Sequence, residues 1–300
     1  MTAIEISSRP HGDGELRTYR VKHLEMQVFY SGKAISSDKS VTLLGHAMFN
    51  EFQYFLKPPG YSFVDYLLNH GLNVAVFHLT GYGQSDPASS ETNFDTYVRD
   101  YEHIIEALSM MGTPVSCYIG HSVGSLAGLS AISKKPNTTA RIVLLAPAIW
   151  TLTIPSKSKE RIVQLCQLHL ARIITKMKGQ LPTKTLRLGT VSPPLGYLEQ
   201  FLTWNKRRSV TSISTETVYS NVWATLQAPI LVLTGSKDLA MAPPPNIQWI
   251  KQRLPQNATF EQVSINSRFG FNADHFGLIY GKQAAETVWP RIMSFLRGEG

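Results

Sequence analysis

The sequence predicts an α/β fold, with a mostly parallel sheet flanked by helices and interrupted by a helical insertion. From residue 41 to residue 145, short apolar runs alternate with segments whose apolar residues recur at helical spacing. The same alternation resumes at Ile230. Between residues 149 and 222 no buried-strand pattern occurs. We therefore expect a helical cap at 149–222, inserted into a core domain of residues 1–148 and 223–300.

The first half of the chain supplies the elements of the core in turn. No element is predicted before residue 16, and alternating apolar positions predict two strands within residues 16–30. Fully apolar runs predict buried strands, whereas apolar residues three or four apart predict helices. The predicted strands are 41–44, 73–78, 115–119 and 141–145, and the predicted helices are 62–72, 93–111 and 126–132.

The insertion begins with a long predicted helix at 160–178, where basic residues alternate with an apolar face. That face carries Ile162, Cys166, Ile173 and Met177. Prolines then interrupt the helical pattern, and shorter predicted helices follow. After the insertion we expect a strand at 230–234, a helix at 246–253, a strand at 258–263 and a last helix at 283–296.

The composition is that of a globular chain, with 43% hydrophobic and 17% charged residues. No apolar run approaches the roughly 18 residues that a membrane span needs. The first 14 residues are polar, so we expect no signal peptide. Cys117 and Cys166 have neither metal-ligand nor redox spacing, and we expect two buried free thiols in a reducing cytoplasm.

The net charge of +8 is carried by the predicted cap, which holds eleven basic and three acidic residues between Thr151 and Val222. This excess has three interpretations: a solvated face, attraction of helix 160–178 to an anionic membrane surface, or docking of an acidic partner. The acidic partner would be an acyl carrier protein or a coenzyme A thioester. Whether such a partner binds at Lys206, Arg207 and Arg208 would test this interpretation. No nucleic-acid motif accompanies the charge, so we expect no nucleic-acid partner.

Gly120, Ser122 and Gly124 form a G-x-S-x-G pattern between a predicted strand and a predicted helix. A serine hydroxyl is a weak nucleophile unless a base activates it, and a sharp strand-to-helix turn lifts the serine clear of its neighbours. Such a turn is crowded, which explains glycine two residues before and two after. The alternative is a glycine-rich turn in which Ser122 merely caps the helix.

Three further motifs make the chain resemble the α/β-hydrolase superfamily over about residues 16–297. Asp238 follows a later strand in T-G-S-K-D, His275 stands in A-D-H-F-G before the last helix, and G-Y-G-Q-S-D occupies residues 81–86. The order serine, acid, histidine is that of the superfamily. The resemblance implies that Ser122 attacks an acyl carbon, His275 shuttles the proton and Asp238 orients the imidazole. Asp274 is an alternative acid, but an aspartate directly before a histidine rarely reaches the ring of that histidine.

The resemblance also implies an oxyanion hole made by the amide of Val123 and a second amide after strand 41–44. Ala47 is the first candidate for the second donor, and Met48 is the next. Most members have His-Gly here, whereas this chain has Gly45-His46 in transposed order. His46 either packs in the core, which we favour, or lines the substrate pocket. His121 is expected to pack beneath the turn.

Aromatic residues of the cap, notably Tyr197, Phe201 and Trp204, are expected to roof the pocket and to contact an apolar acyl or alcohol group. Alternatively they only hold the cap on the core. We predict a serine hydrolase that acts on carboxylic esters or thioesters through an acyl-serine. The alternatives are an acyltransferase or thioesterase acting on a carrier-bound acyl group, and a non-catalytic receptor. No metal-ligand cluster and no complete glycine fingerprint is present, so we predict neither metal nor other cofactor.

Overall fold

A single nine-stranded sheet organises the molecule, with the strand order β1-β2-β3-β5-β4-β6-β7-β8-β9. The computed structural model describes residues 2–33, 39–135, 140–149, 159–186, 188–239 and 241–299. The strands are β1 (Ala3–His11), β2 (Gly14–Val21), β3 (Leu24–Tyr30), β4 (Val41–Gly45), β5 (Asn73–Phe77), β6 (Val115–His121), β7 (Arg141–Leu145), β8 (Ile230–Gly235) and β9 (Thr259–Val263). The first three strands and β5 pair antiparallel, and β5, β4, β6, β7, β8 and β9 pair in parallel.

Helices cover both faces of the sheet. They are α1 (Phe63–Asn69), α2 (Phe94–Met110), α3 (Val123–Ile132), α4 (Lys159–Lys178), α5 (Leu195–Arg207), the short α6 (Tyr219–Val222), α7 (Pro244–Lys251), the short α8 (Gly281–Gln283) and α9 (Trp289–Arg297). A π-turn at Ala284–Val288 joins α8 to α9, and 3₁₀ turns occupy Phe52–Leu56 and Trp223–Thr225.

Each face of the sheet has its own apolar core. Tyr101 of α2 and Leu126 of α3 belong to one buried cluster. Phe63 of α1 and Ile292 of α9 belong to the other. Helices on both sides of a largely parallel sheet confirm the predicted fold class, because the buried strands need apolar cover on each face.

One strand was not predicted. β1 is exposed along most of its length and pairs only with β2, at the edge of the sheet. An edge strand needs little burial, and the apolar alternation of β1 is confined to the exposed Ile4 and Ile6, which is too short to predict a strand.

Between β7 and β8, the described part of residues 149–222, named here the insertion, contains α4, α5, α6 and a single antiparallel bridge from Thr211 to Val218. The predicted basic positions Lys157 and Arg187, and the side chains of Lys159 and Arg161, lie outside what the structure describes.

The apolar face predicted for the long helix of the insertion is exposed. Ile162 is 56% exposed, Ile173 49% and Met177 81%, whereas Leu168 on another face of α4 is buried. Cys166 is exposed too, so the prediction of two buried thiols is wrong for this cysteine and confirmed for Cys117. None of the described helices has the length and apolar character needed to cross a membrane.

Candidate active site

The carboxyl ends of neighbouring parallel strands bring the predicted site residues to one edge of the sheet. Gly45 at the end of β4 pairs with Gly120 of β6, so the loop after β4 lies beside the turn after β6. Ser122 follows β6, Asp238 follows β8, and His275 lies in the loop beyond β9. This edge is where open α/β sheets bind ligands.

The turn after β6 is a strained nucleophile elbow. Ser122 has φ 58° and ψ −121°, a backbone conformation that residues other than glycine rarely adopt. A Cβ at Gly120 would lie 2.5 Å from the Cα of Ser125, and a Cβ at Gly124 would lie 2.6 Å from the backbone of Gly45. Both predicted glycines are therefore required, because neighbouring backbone fills the space of a side chain.

Ser122 occupies the N-cap position of α3, but its side chain accepts no hydrogen bond from the first turn of the helix. The alternative that its hydroxyl serves to cap the helix is therefore wrong. The residue lines a cavity together with His275 instead. Its own amide donates to the carbonyl of Leu145 at 2.9 Å, which ties the strained turn to β7.

A buried carboxylate orients the imidazole of His275. The Nδ1 of His275 lies 2.6 Å from Oδ2 of Asp238. The other oxygen, Oδ1, accepts from the amides of Met241 and Ala242, each at 3.1 Å. Because a carboxylate only accepts, Nδ1 of His275 donates, and Nε2 is left free to take a proton from the serine.

The alternative acid Asp274 bonds to the backbone of its own loop. Its Oδ1 accepts from the amides of Phe276 and Gly277 at 3.1 and 2.7 Å, so it shapes the loop that carries His275. The structure therefore brings together Ser122, Asp238 and His275, in the arrangement expected from the sequence.

Four residues of the loop after β4 line the cavity, namely Ala47, Met48, Phe49 and Asn50, but the amide of the first candidate is already engaged. The amide of Ala47 donates to the hydroxyl of Tyr54 at 2.9 Å, so the prediction that it binds an oxyanion is corrected. Met48, the second candidate, lines the cavity together with Val123. The hydroxyl of Tyr82 donates to the carbonyl of Met48 and holds that peptide in place. Val123 is the first residue of α3, so its amide has no acceptor within the helix.

His46 is a core residue. It is fully buried, and this burial lowers its pKa to about 4. Neutral His46 donates from Nδ1 to the carbonyl of Ala47 at 2.9 Å and accepts the amide of Leu79 at Nε2 at 3.4 Å. The alternative that His46 lines the substrate pocket is thus corrected in favour of the core position, since both ring nitrogens are engaged within the protein.

Two cavities with shared lining residues lie at this edge of the sheet, and Ser122 lines the first of them. The first is small and holds Ser122, His275 and the predicted oxyanion donors. The second, named here the apolar chamber, has a volume of about 500 Å³ and lies between the core and the insertion. Both are lined by Met48, Phe49, Leu188, Tyr197, Phe201 and Met241. Apart from Gln167, the residues that line the apolar chamber are apolar or aromatic.

Of the three aromatic residues predicted to contact substrate, two line the cavities and one does not. Tyr197 and Phe201 line both cavities. Trp204 does not: it is fully buried, donates from Nε1 to the carbonyl of Thr211 at 2.7 Å and packs edge-to-face on Phe94 of α2. The prediction for Trp204 is therefore corrected, because this side chain holds the insertion on the core.

Several lining residues escaped the sequence analysis. Phe49 and Leu188 reach the cavities from segments without an amphipathic pattern. Met241 could have been predicted to line the cavity, since it follows Asp238 in the same short loop. Among the described residues, no group of three or more His, Cys, Asp or Glu could hold a metal ion. Docking of an acidic carrier protein or an anionic surface at the basic insertion stays a prediction.

Known structures share this architecture at low sequence identity. A monoacylglycerol lipase from Paleococcus ferrophilus superposes with a TM-score of 0.63 at 16% identity, over 92% of this chain and 99% of that chain. An esterase from Exiguobacterium antarcticum gives a TM-score of 0.62 at 13% identity, over 99% and 100% of the two chains. A bromoperoxidase from Bacillus anthracis gives 0.60 at 14% identity, over 94% and 96%. These likenesses concern the fold.

Sequence comparison gives the family. A curated relative, the non-heme chloroperoxidase of Streptomyces lividans, is 32% identical over 82 residues, which are 27% of this chain and 29% of that protein. The sequence model of the serine aminopeptidase S33 family matches residues 61–264, more than half of the chain and including both Ser122 and Asp238. The chain thus has the α/β-hydrolase fold and belongs to the serine aminopeptidase S33 family of hydrolases.

Proposed function

We propose that this hydrolase cleaves a carboxylic ester or thioester with an apolar acyl or alcohol part, through an acyl-serine intermediate. The observation that carries the proposal is the placement of Ser122 and His275 on one cavity, with His275 bonded to Asp238 and an apolar chamber adjoining. We also propose that the insertion is the cap of this site, since α4 and α5 line the chamber.

The proposed reaction follows from the residues in place. Oγ of Ser122 bonds to the acyl carbon while its proton passes to Nε2 of His275. The carbonyl oxygen takes up the electron pair and is held by the amides of Val123 and Met48. The C–O or C–S bond then breaks, and the leaving oxygen or sulfur takes the proton from His275. Water repeats these steps on the acyl-serine, which releases the carboxylic acid and restores Ser122.

Labelling with a fluorophosphonate probe tests the activated serine. We expect rapid labelling of the wild type and none of Ser122→Ala or His275→Ala, because the probe reacts only with a serine whose proton is removed by a base. Circular dichroism of the three proteins controls for folding. A folded wild type that stays unlabelled, even with detergent present to open the cap, would favour the non-catalytic receptor alternative.

The apolar chamber predicts a dependence on chain length. Along a series of p-nitrophenyl esters, kcat/KM is expected to rise about fourfold per added methylene until the chamber is full, since each buried CH₂ contributes about 0.8 kcal/mol. A parallel series of acetate esters with lengthening alcohols determines whether the acyl or the alcohol part enters. If neither series shows a dependence, the apolar chamber is not the substrate site.

A substitution inside the chamber sharpens this test. Ala171 on α4 lines the chamber, so Ala171→Phe is expected to lower kcat/KM for the longest esters about 10- to 100-fold and to spare the shortest. Ile173→Phe is the matched control, because Ile173 lies on the same helix but is 49% exposed. Equal losses in both variants, or for all ester lengths, would point to a general disturbance of α4.

A further inference from the structure

A continuous chain of hydrogen bonds runs beneath the elbow. The amide of Ala47 lies 2.9 Å from the hydroxyl of Tyr54, which lies 3.0 Å from Nδ1 of His121. Nε2 of His121 lies 2.9 Å from the backbone carbonyl of His275. Tyr54 and His121 are both buried, so water does not compete for these bonds. We name these two side chains the relay.

The direction of each bond follows from the chemistry of its ends. The carbonyl of His275 only accepts, so Nε2 of His121 carries a proton. Burial, with a further contribution from nearby His275, lowers the pKa of His121 well below its ordinary value, so the ring is neutral and Nδ1 accepts. The hydroxyl of Tyr54 therefore donates to Nδ1, and its oxygen accepts the amide of Ala47. With a neutral ring, no other arrangement of protons makes all three bonds.

The relay connects two loops that the proposed reaction needs at a fixed separation. Ala47 directly precedes Met48, the proposed oxyanion donor after β4. His275 is the proposed base and lies 154 residues after His121. The rings of His121 and His275 also pack with their centroids 4.7 Å apart.

We propose that Tyr54 and His121 are positioning residues, which set the distance between the oxyanion donor and the base through the two ends of this hydrogen-bond chain. The proposal rests on the proposed serine hydrolase activity. Neither side chain touches the substrate, so the relay acts on the alignment of the transition state. The position of His121 inside the G-x-S-x-G pattern thus has a use beyond packing.

Substitutions of the relay test its effect on turnover. Tyr54→Phe keeps the ring and removes the hydroxyl, and His121→Gln keeps an N–H for the carbonyl of His275. Each is expected to lower kcat about 10- to 100-fold with little change in KM, as for residues that orient catalytic groups. In the double variant the losses should not multiply, because either change breaks the same chain.

The control removes a buried hydroxyl outside the relay. Tyr101→Phe leaves all three bonds in place and is expected to retain wild-type kcat. Wild-type kcat in Tyr54→Phe, or full multiplication of the two losses in the double variant, would overturn the proposal. If the wild type neither turns over esters nor reacts with the fluorophosphonate probe, the proposed function fails, and the positioning role fails with it.

A spectroscopic measurement examines the relay independently of turnover. In ¹⁵N NMR of the histidine rings, the signals lost in His121→Gln identify His121. We expect a neutral ring with the proton on Nε2 and a hydrogen-bonded, unprotonated Nδ1 whose shift changes in Tyr54→Phe. A proton on Nδ1, or no response to Tyr54→Phe, would show that the chain is not ordered in this way.

Discussion

Replacing Asp238 by Asn is expected to lower kcat/KM for ester hydrolysis by about four orders of magnitude. The amide of Asn would point its NH₂ group at Nδ1 of His275, which now donates to Oδ2 of Asp238 over 2.6 Å. The imidazole would then carry its proton on Nε2, and a protonated Nε2 can no longer accept the proton of Ser122. Steady-state kinetics on an activated ester measure the loss.

The matched control for this prediction is the neighbouring carboxylate. Asp274 accepts only the amides of Phe276 and Gly277 among the described contacts, so Asp274→Asn is expected to stay close to wild-type activity. Both variants change a carboxylate to an amide, one within the proposed triad and one in the loop that carries His275. If Asp274→Asn were the more damaging, the assignment of the triad acid would have to be reversed.

Replacing Asp95 by Ala is expected to lower the free energy of unfolding by about 3–5 kcal/mol. Asp95 is buried in the first turn of α2 and accepts five hydrogen bonds from the insertion. The donors are Gln200, Ser212, the amides of Ile213 and Ser214, and Tyr219. Alanine leaves the buried side-chain donors of Gln200, Ser212 and Tyr219 without this acceptor, which costs more than the pairs themselves are worth. Urea unfolding measures the change.

The pH dependence of this effect has a definite sign. Burial raises the pKa of Asp95, but the bonds from Ser212, Ser214 and Gln200 outweigh it and hold the pKa below its ordinary value. The ionised form therefore stabilises the native state above the ordinary pKa of about 3.9, and this contribution is lost as the pH falls through the lower native value. The difference in the free energy of unfolding between wild type and Asp95→Ala should therefore shrink as the pH falls through the native pKa.

The exposed Asp86 provides the comparison for Asp95, since its side chain is 65% exposed. Asp86→Ala is expected to change the free energy of unfolding by about 0.5 kcal/mol or less. Similar losses in both variants would mean that the carboxylate network between α2 and the insertion does not stabilise the protein. A large loss in Asp95→Ala alone would identify it as the main polar anchor of the insertion.

The sequence predicted the parts of the site that depend on neighbouring residues. The G-x-S-x-G pattern lies within five residues and is therefore visible in the sequence. Ser125, a neighbour in the chain, crowds Gly120, whereas the backbone of Gly45 from another segment crowds Gly124. The order of Ser122, Asp238 and His275 could be placed at strand ends, because the apolar runs that precede them are themselves local signals. Parallel strands end at one edge, which brings distant residues together without further information.

Other parts of the site escaped prediction because their partners are remote in sequence. The proposed second oxyanion donor is Met48 rather than Ala47, because the hydroxyl of Tyr54, seven residues away, accepts the amide of Ala47. Trp204 and Phe201 lie three residues apart on α5, yet only Phe201 lines the cavity, since α2 covers Trp204 through Phe94. Likewise, the helical spacing in α4 defined a face without revealing that this face is exposed.

By itself, then, the sequence determined the α/β class and predicted the helical insertion and the three residues of the proposed triad, because strand periodicity, glycine spacing and chain order can be recognised in the sequence. Only the tertiary structure decided that the amide of Ala47 is engaged, which aromatic side chains line the cavity, and that Tyr54 and His121 join the loop after β4 to the loop of His275. These depend on hydrogen bonds and contacts between segments as far as 154 residues apart, and no local pattern encodes the partner.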